Sequence, residues 1–402
     1  MIQQFRVQNY KALRDVTLNL TPMHVLIGPN DSGKSSLLEA IAAVCRSVDH
    51  PLADAFLGYW DGHSLVTRSD AASAVTLTAR SDTTEYRSTC EFASKGRECI
   101  STGELLQVGD NQDGFLSKSS SSTSVHLWKS RKVLPGSDSM SRDQTKKTTL
   151  LLAEAYQMLS GVDLYHFDPS YLALPAAPDS RLGFRLDASG FGLARFLDEL
   201  LGQDRQRFDR LEARYREFFP DVKSLKLVSE PGYRFVPDPT SEVSVLGKAE
   251  GKGIYFELAS AGFDVSASQS SDGMLLVLAY LALLHSPTPP RLLLIEEPEN
   301  GIHPKRLQEV LAILRQLVTE QEHTQIVLTT HSPYVLDSFQ PEEVSLCRKD
   351  VDGAVSVRRL SESKTVREQI DLFSLGEIWT AAGDDDLAIP VDAAAVVEEV
   401  AP

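Results

Sequence analysis

The string Gly28-Pro29-Asn30-Asp31-Ser32-Gly33-Lys34-Ser35 constrains this chain more than any other segment. It carries the complete spacing of a phosphate-binding loop. Before it, His24-Val25-Leu26-Ile27 is a short apolar run that reads as a strand. After it, the residues from Ser36 to Val44 have helical spacing and good helix formers. The order has a physical reason. Glycines let the backbone wrap a polyphosphate with successive N–H groups pointing inward, and the helix turns its positive dipole end toward the anion. Lys34 is expected to reach the outer phosphates and Ser35 to ligate Mg²⁺, with Gly28 through Ser36 forming the cradle. A strand, a phosphate loop and a helix in succession imply that the chain binds a nucleoside triphosphate.

At 402 residues the chain can bury a large core, in one composite domain or two. No N-terminal stretch combines basic residues with an apolar region, so no secretory signal is expected. The longest apolar run, Met274 to Leu284, is too short to span a bilayer and reads as a buried helix. Cys45, Cys90, Cys99 and Cys347 have neither CxxC pairing nor metal-ligand spacing, as expected of free thiols in a cytoplasmic protein. The formal net charge of -16 argues against a wholesale nucleic-acid coat but leaves room for a local basic groove.

Alternation in Phe5 to Tyr10 and Val16 to Leu20, around a polar turn, predicts an N-terminal hairpin. Pro51 to Ser69 has no clear pattern. Short strands are expected at Ala74–Arg80, Arg87–Phe92, Cys99–Thr102 and Val125–Lys129. Ser117 to Ser124 is serine-rich, and Trp128 lies among the basic residues Lys129, Arg131, Lys132, Arg142, Lys146 and Lys147. That cluster reads either as a solvated loop or as a contact for nucleic acid or an acidic partner. Thr148–Ser160 and Gly192–Phe219 have helical spacing, and Leu164–Phe167, Val222–Val228, Tyr233–Val236 and Ile254–Leu258 read as strands.

The second half of the chain holds three more constellations. Leu292-Leu293-Leu294-Ile295 is an apolar run ending in Glu296-Glu297-Pro298. A buried central strand delivers such terminal side chains to the carboxyl edge of its sheet. There Glu296 can hold the Mg²⁺ shell and Glu297 can polarise an attacking water. A second buried run, Gln325 to Thr330, ends in His331, a donor able to reach a γ-phosphate. Finally, Ser271 and Gly273 stand at the start of the buried helix, a second anion site of the helix-start kind. One fold does not easily bring two such sites onto one triphosphate. A second copy of the chain, donating Ser271 and Gly273 across an interface, is the economical solution, with ATP joining two copies head to tail.

These pieces, in this order, resemble the ABC-type ATPase heads of the SMC/RecF/OLD class. More narrowly they resemble bacterial AAA-family ATPases (AAA_21/AAA_15-like) whose second strand motif reads Glu-Glu-Pro-Glu-Asn-Gly followed by His-Pro, here Glu296 to Gly301 and His303-Pro304. Phe5 through Leu13, Ser271-Asp272-Gly273 and Phe373 through Trp379 match the family as well. The resemblance implies an α/β P-loop NTPase fold of the ABC/SMC-head type, with a central mixed sheet, an N-terminal β-lobe and a helical insertion. It implies Walker A at Gly33, Lys34 and Ser35, Walker B at Glu296 and Glu297, a switch histidine at His331 and a signature at Ser271 and Gly273. Asn300 and Gly301 then fall in the loop that touches the other subunit. The chain departs from the wider class in having Glu296 for aspartate and Ser270 and Asp272 for the signature's leucine and second glycine. The Q-loop glutamine has no clear counterpart, and the best region is near Phe167 and Asp168.

The expected organisation is a first half-head over 1–60, a β-lobe over 61–145, a helical insertion over 146–235, a second half-head over 236–383 and an acidic tail over 384–402. Asp384-Asp385-Asp386 lacks a preceding apolar strand, so no Toprim nuclease domain is expected. The resemblance implies a dimeric ATPase that controls a separate nuclease or toxin in bacterial defence against phage or mobile elements. The alternative is a RecF-like clamp that binds duplex DNA directly.

Overall fold

The computed structural model describes residues 1–58, 60–67, 74–93, 96–108, 115–117, 153–179, 183–237, 244–321 and 323–391. The expected strand at Val125–Lys129, the serine-rich stretch beyond Ser117 and the basic cluster lie outside them. The chain divides into two compact units. Unit 1 comprises Met1–Asp163, Arg291–Leu294 and Gln325–Pro402; unit 2 comprises Leu164–Pro290 and Ile295–Thr324.

In unit 1 the expected hairpin forms from β1 (Gln4–Tyr10) and β2 (Leu13–Asn19), with Gln4 opposite Asn19 and Tyr10 opposite Leu13. β1 also pairs with β4 (Ala74–Arg80), which continues through β5 (Thr84–Phe92), β6 (Cys99–Val108) and β7 (Phe115–Ser117). Hairpin and β-lobe are therefore one sheet. In β5 alternate residues Thr84, Tyr86, Ser88, Cys90 and Phe92 turn inward, the period-2 pattern of a half-buried strand. The unpatterned region after Pro51 forms two single turns, α2 (Leu52–Ala55) and α3 (Gly62–Leu65). They are held by aromatic edges: the Phe56 and Trp60 rings meet Phe92 at 5.0 and 5.5 Å.

The second sheet runs, in spatial order, β15 (Val355–Arg359), β14 (Val344–Lys349), β3 (Met23–Ile27), β13 (Gln325–Thr329), β12 (Leu292–Glu296) and β8 (Val162–Tyr165). β3 and β13 are buried along their whole length and pair in parallel. β14 joins β3 in parallel and β15 adds an antiparallel edge, so the sheet is mixed. β8 and β12 start in unit 1 and end in unit 2. α1 (Lys34–Arg46) presents Leu37, Leu38, Ile41 and Val44 to the core, and residues 153–159 form α4. His24 is among the buried polar side chains of this sheet. His24 bonds Ser345 Oγ at 3.0 Å and Thr21 Oγ1 at 3.1 Å, and burial lowers its pKa to about 3.

The remaining helices of unit 1 are α10 (Pro333–Leu336), α11 (Lys364–Gln369) and α12 (Leu375–Leu387), the last opened by a Ser374–Glu377 capping box. Asp384, Asp385 and Asp386 follow a break in α12 at Gly383 (φ 72, ψ 175) and continue as a short helical turn, where Trp379 Nε1 donates to Asp384 at 2.8 Å and Arg348 pairs with Asp385. Beyond them the Val391 amide donates to Glu362 at 3.1 Å.

Unit 2 contains α5 (Pro169–Leu172), α6 (Leu193–Gln203), α7 (Arg205–Phe218), α8 (Asp272–Leu284) and α9 (Pro304–Glu320). It also holds a sheet ordered β11-β10-β9. The sequence suggests separate strands at Val222–Val228 and Tyr233–Val236, but β9 runs unbroken over Val222–Pro237 against β10 (Ser244–Leu258). The Pro231-Gly232 pair, a turn signal in isolation, is flattened by tertiary pairing. Ala176 bridges both Tyr233 and Lys252, and a Cβ at Gly232 would come within 2.9 Å of the Pro175 carbonyl oxygen. β11 (Asp264–Ser266) leads into α8, which is buried from Leu275 to Leu284, so it needs no polar face.

Candidate functional site

The phosphate loop leaves β3 at Gly28. Gly28 has φ 133, and a Cβ there would lie 2.1 Å from the Cys347 carbonyl oxygen on β14. Gly33 has φ 90, with a Cβ position 2.8 Å from Val355 on β15. Both positions demand glycine, because the loop runs between backbone and side chains that cannot yield. Pro29, Asn30 and Asp31 are exposed and Ser32 is buried. Lys34 Nζ donates to the carbonyl oxygens of Gly28 and Pro29 at 2.9 and 2.8 Å. Ser35 and Ser36 occupy the first turn of α1, with Ser35 facing solvent. Backbone amides, one cation and a hydroxyl at a helix start are the groups that an anion site requires.

Beside the loop, Lys349 Nζ pairs with Asp31 at 2.6 Å. Lys349 also lines a cleft of about 370 Å³, together with Lys11, Arg14, Ser64 and Thr67. Arg14, Ser64, Thr67 and Lys349 carry no local signal in the sequence. They come from the hairpin turn, α3 and the end of β14, and only folding assembles them.

His331 follows β13. Parallel pairing sets Thr329 beside Leu26, and the Thr330 amide donates to the Leu26 carbonyl oxygen at 3.1 Å. His331 therefore leaves the sheet at the edge where the phosphate loop begins, and it is exposed there. The turn after it is fixed by α12. The Gly376 amide donates to Asp337 Oδ1 at 3.0 Å, and a Cβ at Gly376 would lie 2.4 Å from the Pro333 carbonyl oxygen.

Unit 2 holds the carboxylates and the helix start. Glu296 ends β12, half-buried, with His166 Nδ1 3.7 Å from its Oε2. Phe167 is buried and Asp168 caps α5 by accepting from the Ser170 amide at 2.8 Å. The polar group facing Glu296 from this segment is thus His166, a residue that no local pattern in the sequence marks. Glu297 sits at φ 46, a left-handed conformation that costs a non-glycine residue about 1–2 kcal/mol. Its carboxylate accepts from Asn300 Nδ2 at 2.7 Å.

At the start of α8, Ser271 is exposed and makes no side-chain cap bond. A Cβ added at Gly273 would meet nothing within 4 Å. Neither the backbone nor the packing of this chain requires glycine at that place. Of the residues singled out from sequence, unit 1 brings together the phosphate loop and His331. Unit 2 brings together the loop after Glu297 and the first turn of α8, where the Gly301 Cβ position is 3.6 Å from Asp272 Cβ.

Among the described residues no group of three or more His, Cys, Asp or Glu could hold a metal alone. Ser35 in unit 1 and Glu296 in unit 2 each offer a hard oxygen donor of the kind Mg²⁺ takes. No helix of the described residues is long and apolar enough to cross a membrane.

A family model described as "AAA domain, putative AbiEii toxin, Type IV TA system" matches residues 23–337. Among solved structures, one similar chain is a crystal structure of the SmcHead bound to the C-winged helix domain of ScpA. It is 12% identical with a TM-score of 0.51, over 89% of this chain and 97% of that one. Another is the Smc head domain with an extended coiled coil bound to the C-terminal domain of ScpA, derived from Pyrococcus furiosus. It is 12% identical with a TM-score of 0.52, over 92% and 99% of the two chains. No curated protein matches the sequence. At this identity the two structures establish the fold alone, that of an Smc head domain.

Proposed function

The chain belongs to the AAA_21 family of AAA domains, and we propose that it binds and hydrolyses ATP as a head-to-tail dimer that controls a separate effector protein. The single observation that carries the dimer is the start of α8. Ser271 is exposed and uncommitted to a cap bond, and Gly273 is a glycine for which the chain itself has no use. Glycine in a helix costs about 1 kcal/mol relative to alanine. Close approach of a triphosphate held by a second copy gives that glycine a purpose.

In this reading the amides of Gly28 through Ser36 and the Lys34 ammonium bind the β- and γ-phosphates. The cleft lined by Lys11, Arg14 and Lys349 takes the nucleoside end. Ser35 and Glu296 would hold Mg²⁺, and the ion would supply positive charge to the phosphates when bound. Glu297 accepts the proton of the attacking water, and His331 donates to the γ-phosphate as charge develops on it. Ser271 and Gly273 of the second copy close the site and exclude water, so turnover waits on the dimer. The family description names a toxin of a toxin–antitoxin system, which supports a role in bacterial defence against phage or mobile elements. The similar SMC heads carry a partner protein domain, which supports an effector encoded as a separate chain.

The test is a tagged Glu297→Gln variant expressed in its native genetic neighbourhood and purified with Mg·ATP. The expected result is a dimer by light scattering, dependent on ATP, with a stoichiometric neighbour protein. Recovery of nuclease-sensitive nucleic acid without protein would replace this reading with a RecF-like DNA clamp.

A further inference from the structure

Asn300 holds Glu297 at two points. Its backbone amide donates to the Glu297 carbonyl oxygen at 3.0 Å, and its side-chain Nδ2 donates to Glu297 Oε2 at 2.7 Å. Between those two bonds Glu297 stays at φ 46, a conformation that a side chain with a Cβ ordinarily leaves. Residues in such conformations persist where their surroundings over-determine them. The donor is a neutral amide, so it fixes the carboxylate rotamer without introducing a competing ion pair.

The same turn rests on the first turns of α8. Gly301, at φ 78, places a Cβ position 3.4 Å from Leu276 Cδ1 and 3.6 Å from Asp272 Cβ. Asp272 lies between Ser271 and Gly273. The 297–301 turn therefore runs beside the start of α8 within unit 2, at a distance that one added methyl group would fill.

Resting on the proposed role of Glu297 as the group that polarises water, we infer that Asn300 is its positioning residue: the Asn300 amide aims the Glu297 carboxylate, and the seat of the 297–301 turn on α8 ties that aim to the helix start at Ser271 and Gly273. Contact of a second copy's triphosphate with the helix start would then bear directly on the turn that orients the base. Misplacing a catalytic group by about 1 Å costs roughly a hundredfold in rate.

Two substitutions separate positioning from a structural or interface role. Asn300→Ala removes the side-chain donor and keeps the backbone amide. Asn300→Asp keeps the shape and sets a like charge against Glu297. Both should lower kcat roughly a hundredfold with KM for ATP and nucleotide affinity unchanged. Asn300→Ser, which retains a short donor, should recover part of the loss. With Mg·ATP, Asn300→Ala should accumulate as a dimer holding unhydrolysed nucleotide. Added to Glu297→Gln it should cost nothing further, because both changes disable one device. Wild-type turnover in Asn300→Ala, failure of that variant to dimerise on ATP, or a further loss in the double variant would each overturn the proposal. The second outcome would make Asn300 a subunit contact. Wild-type turnover in Glu297→Gln would instead overturn the assignment of Glu297, and that measurement does not involve Asn300.

Discussion

The amide of Thr330 donates to the carbonyl oxygen of Leu26 at 3.1 Å, extending the pairing of β13 with β3 past the last residue of the strand. This bond brings His331 out of the sheet at the edge where Gly28 opens the phosphate loop. The relationship needs no ligand. It follows from two buried parallel strands in register, each ending where its sequence turns polar.

His331→Ala should leave ATP affinity within about twofold and lower kcat by roughly a hundredfold, the cost of one donor aimed at developing charge. Single-turnover hydrolysis beside equilibrium nucleotide binding checks both halves. A loss of binding equal to the loss of rate would mean that His331 holds the ground state only.

Gly28→Ala should destabilise the fold by about 3 kcal/mol. A Cβ at φ 133 cannot share space with the Cys347 carbonyl oxygen 2.1 Å away. Urea unfolding measures the loss. Stability within 0.5 kcal/mol of wild type, on the order of an ordinary surface change, would contradict the packing of β14 against the loop.

The glycine loop after β3 and the polar end of β13 are legible in the sequence because their patterns are local. Glycines, a lysine and a serine at fixed spacing define the loop, and an apolar run that stops at one polar residue defines His331. Other features are not local. His166 meets Glu296, and Lys349 meets Asp31, only after distant segments pair. Pro231-Gly232 carries the signature of a turn, yet the backbone of Pro175 and Ala176 lies along it and keeps the strand straight. The aspartates after Gly383 lack hydrophobic periodicity, and their order comes from Trp379 and Arg348. Sequence pattern reports what a segment prefers alone, and these segments are decided by their neighbours.

Ser271→Arg should change stability by less than about 0.5 kcal/mol, since Ser271 is exposed and makes no cap bond. It should retain ATP binding and lose ATP-dependent dimerisation. Sedimentation with and without Mg·ATP checks it, and a normal ATP dimer would remove the role assigned to the start of α8.

His24 gives the fold a pH dependence. Its folded pKa is lowered to about 3 by burial in β3. An unfolded histidine takes its proton near pH 6.5. The stability it contributes is therefore complete above about pH 6.5 and is lost as pH falls toward 3. At pH 5 the loss is about 2 kcal/mol. Unfolding free energies from urea titrations at pH 7.5 and 5 should differ by about 2 kcal/mol less in His24→Gln than in wild type. An unchanged difference would mean that His24 takes up its proton in the folded sheet.

The composite site is tested most directly by mixing two inactive variants. Lys34→Ala should lose nucleotide binding by roughly a hundredfold while keeping its helix start, and Ser271→Arg keeps its phosphate loop. Neither should hydrolyse ATP alone. In a mixed dimer the intact loop of one faces the intact Ser271 and Gly273 of the other. ATP hydrolysis should therefore return on mixing, rising with the fraction of mixed dimer. A mixture as inactive as its components, under conditions where mixed dimers are shown to form, would contradict the head-to-tail account.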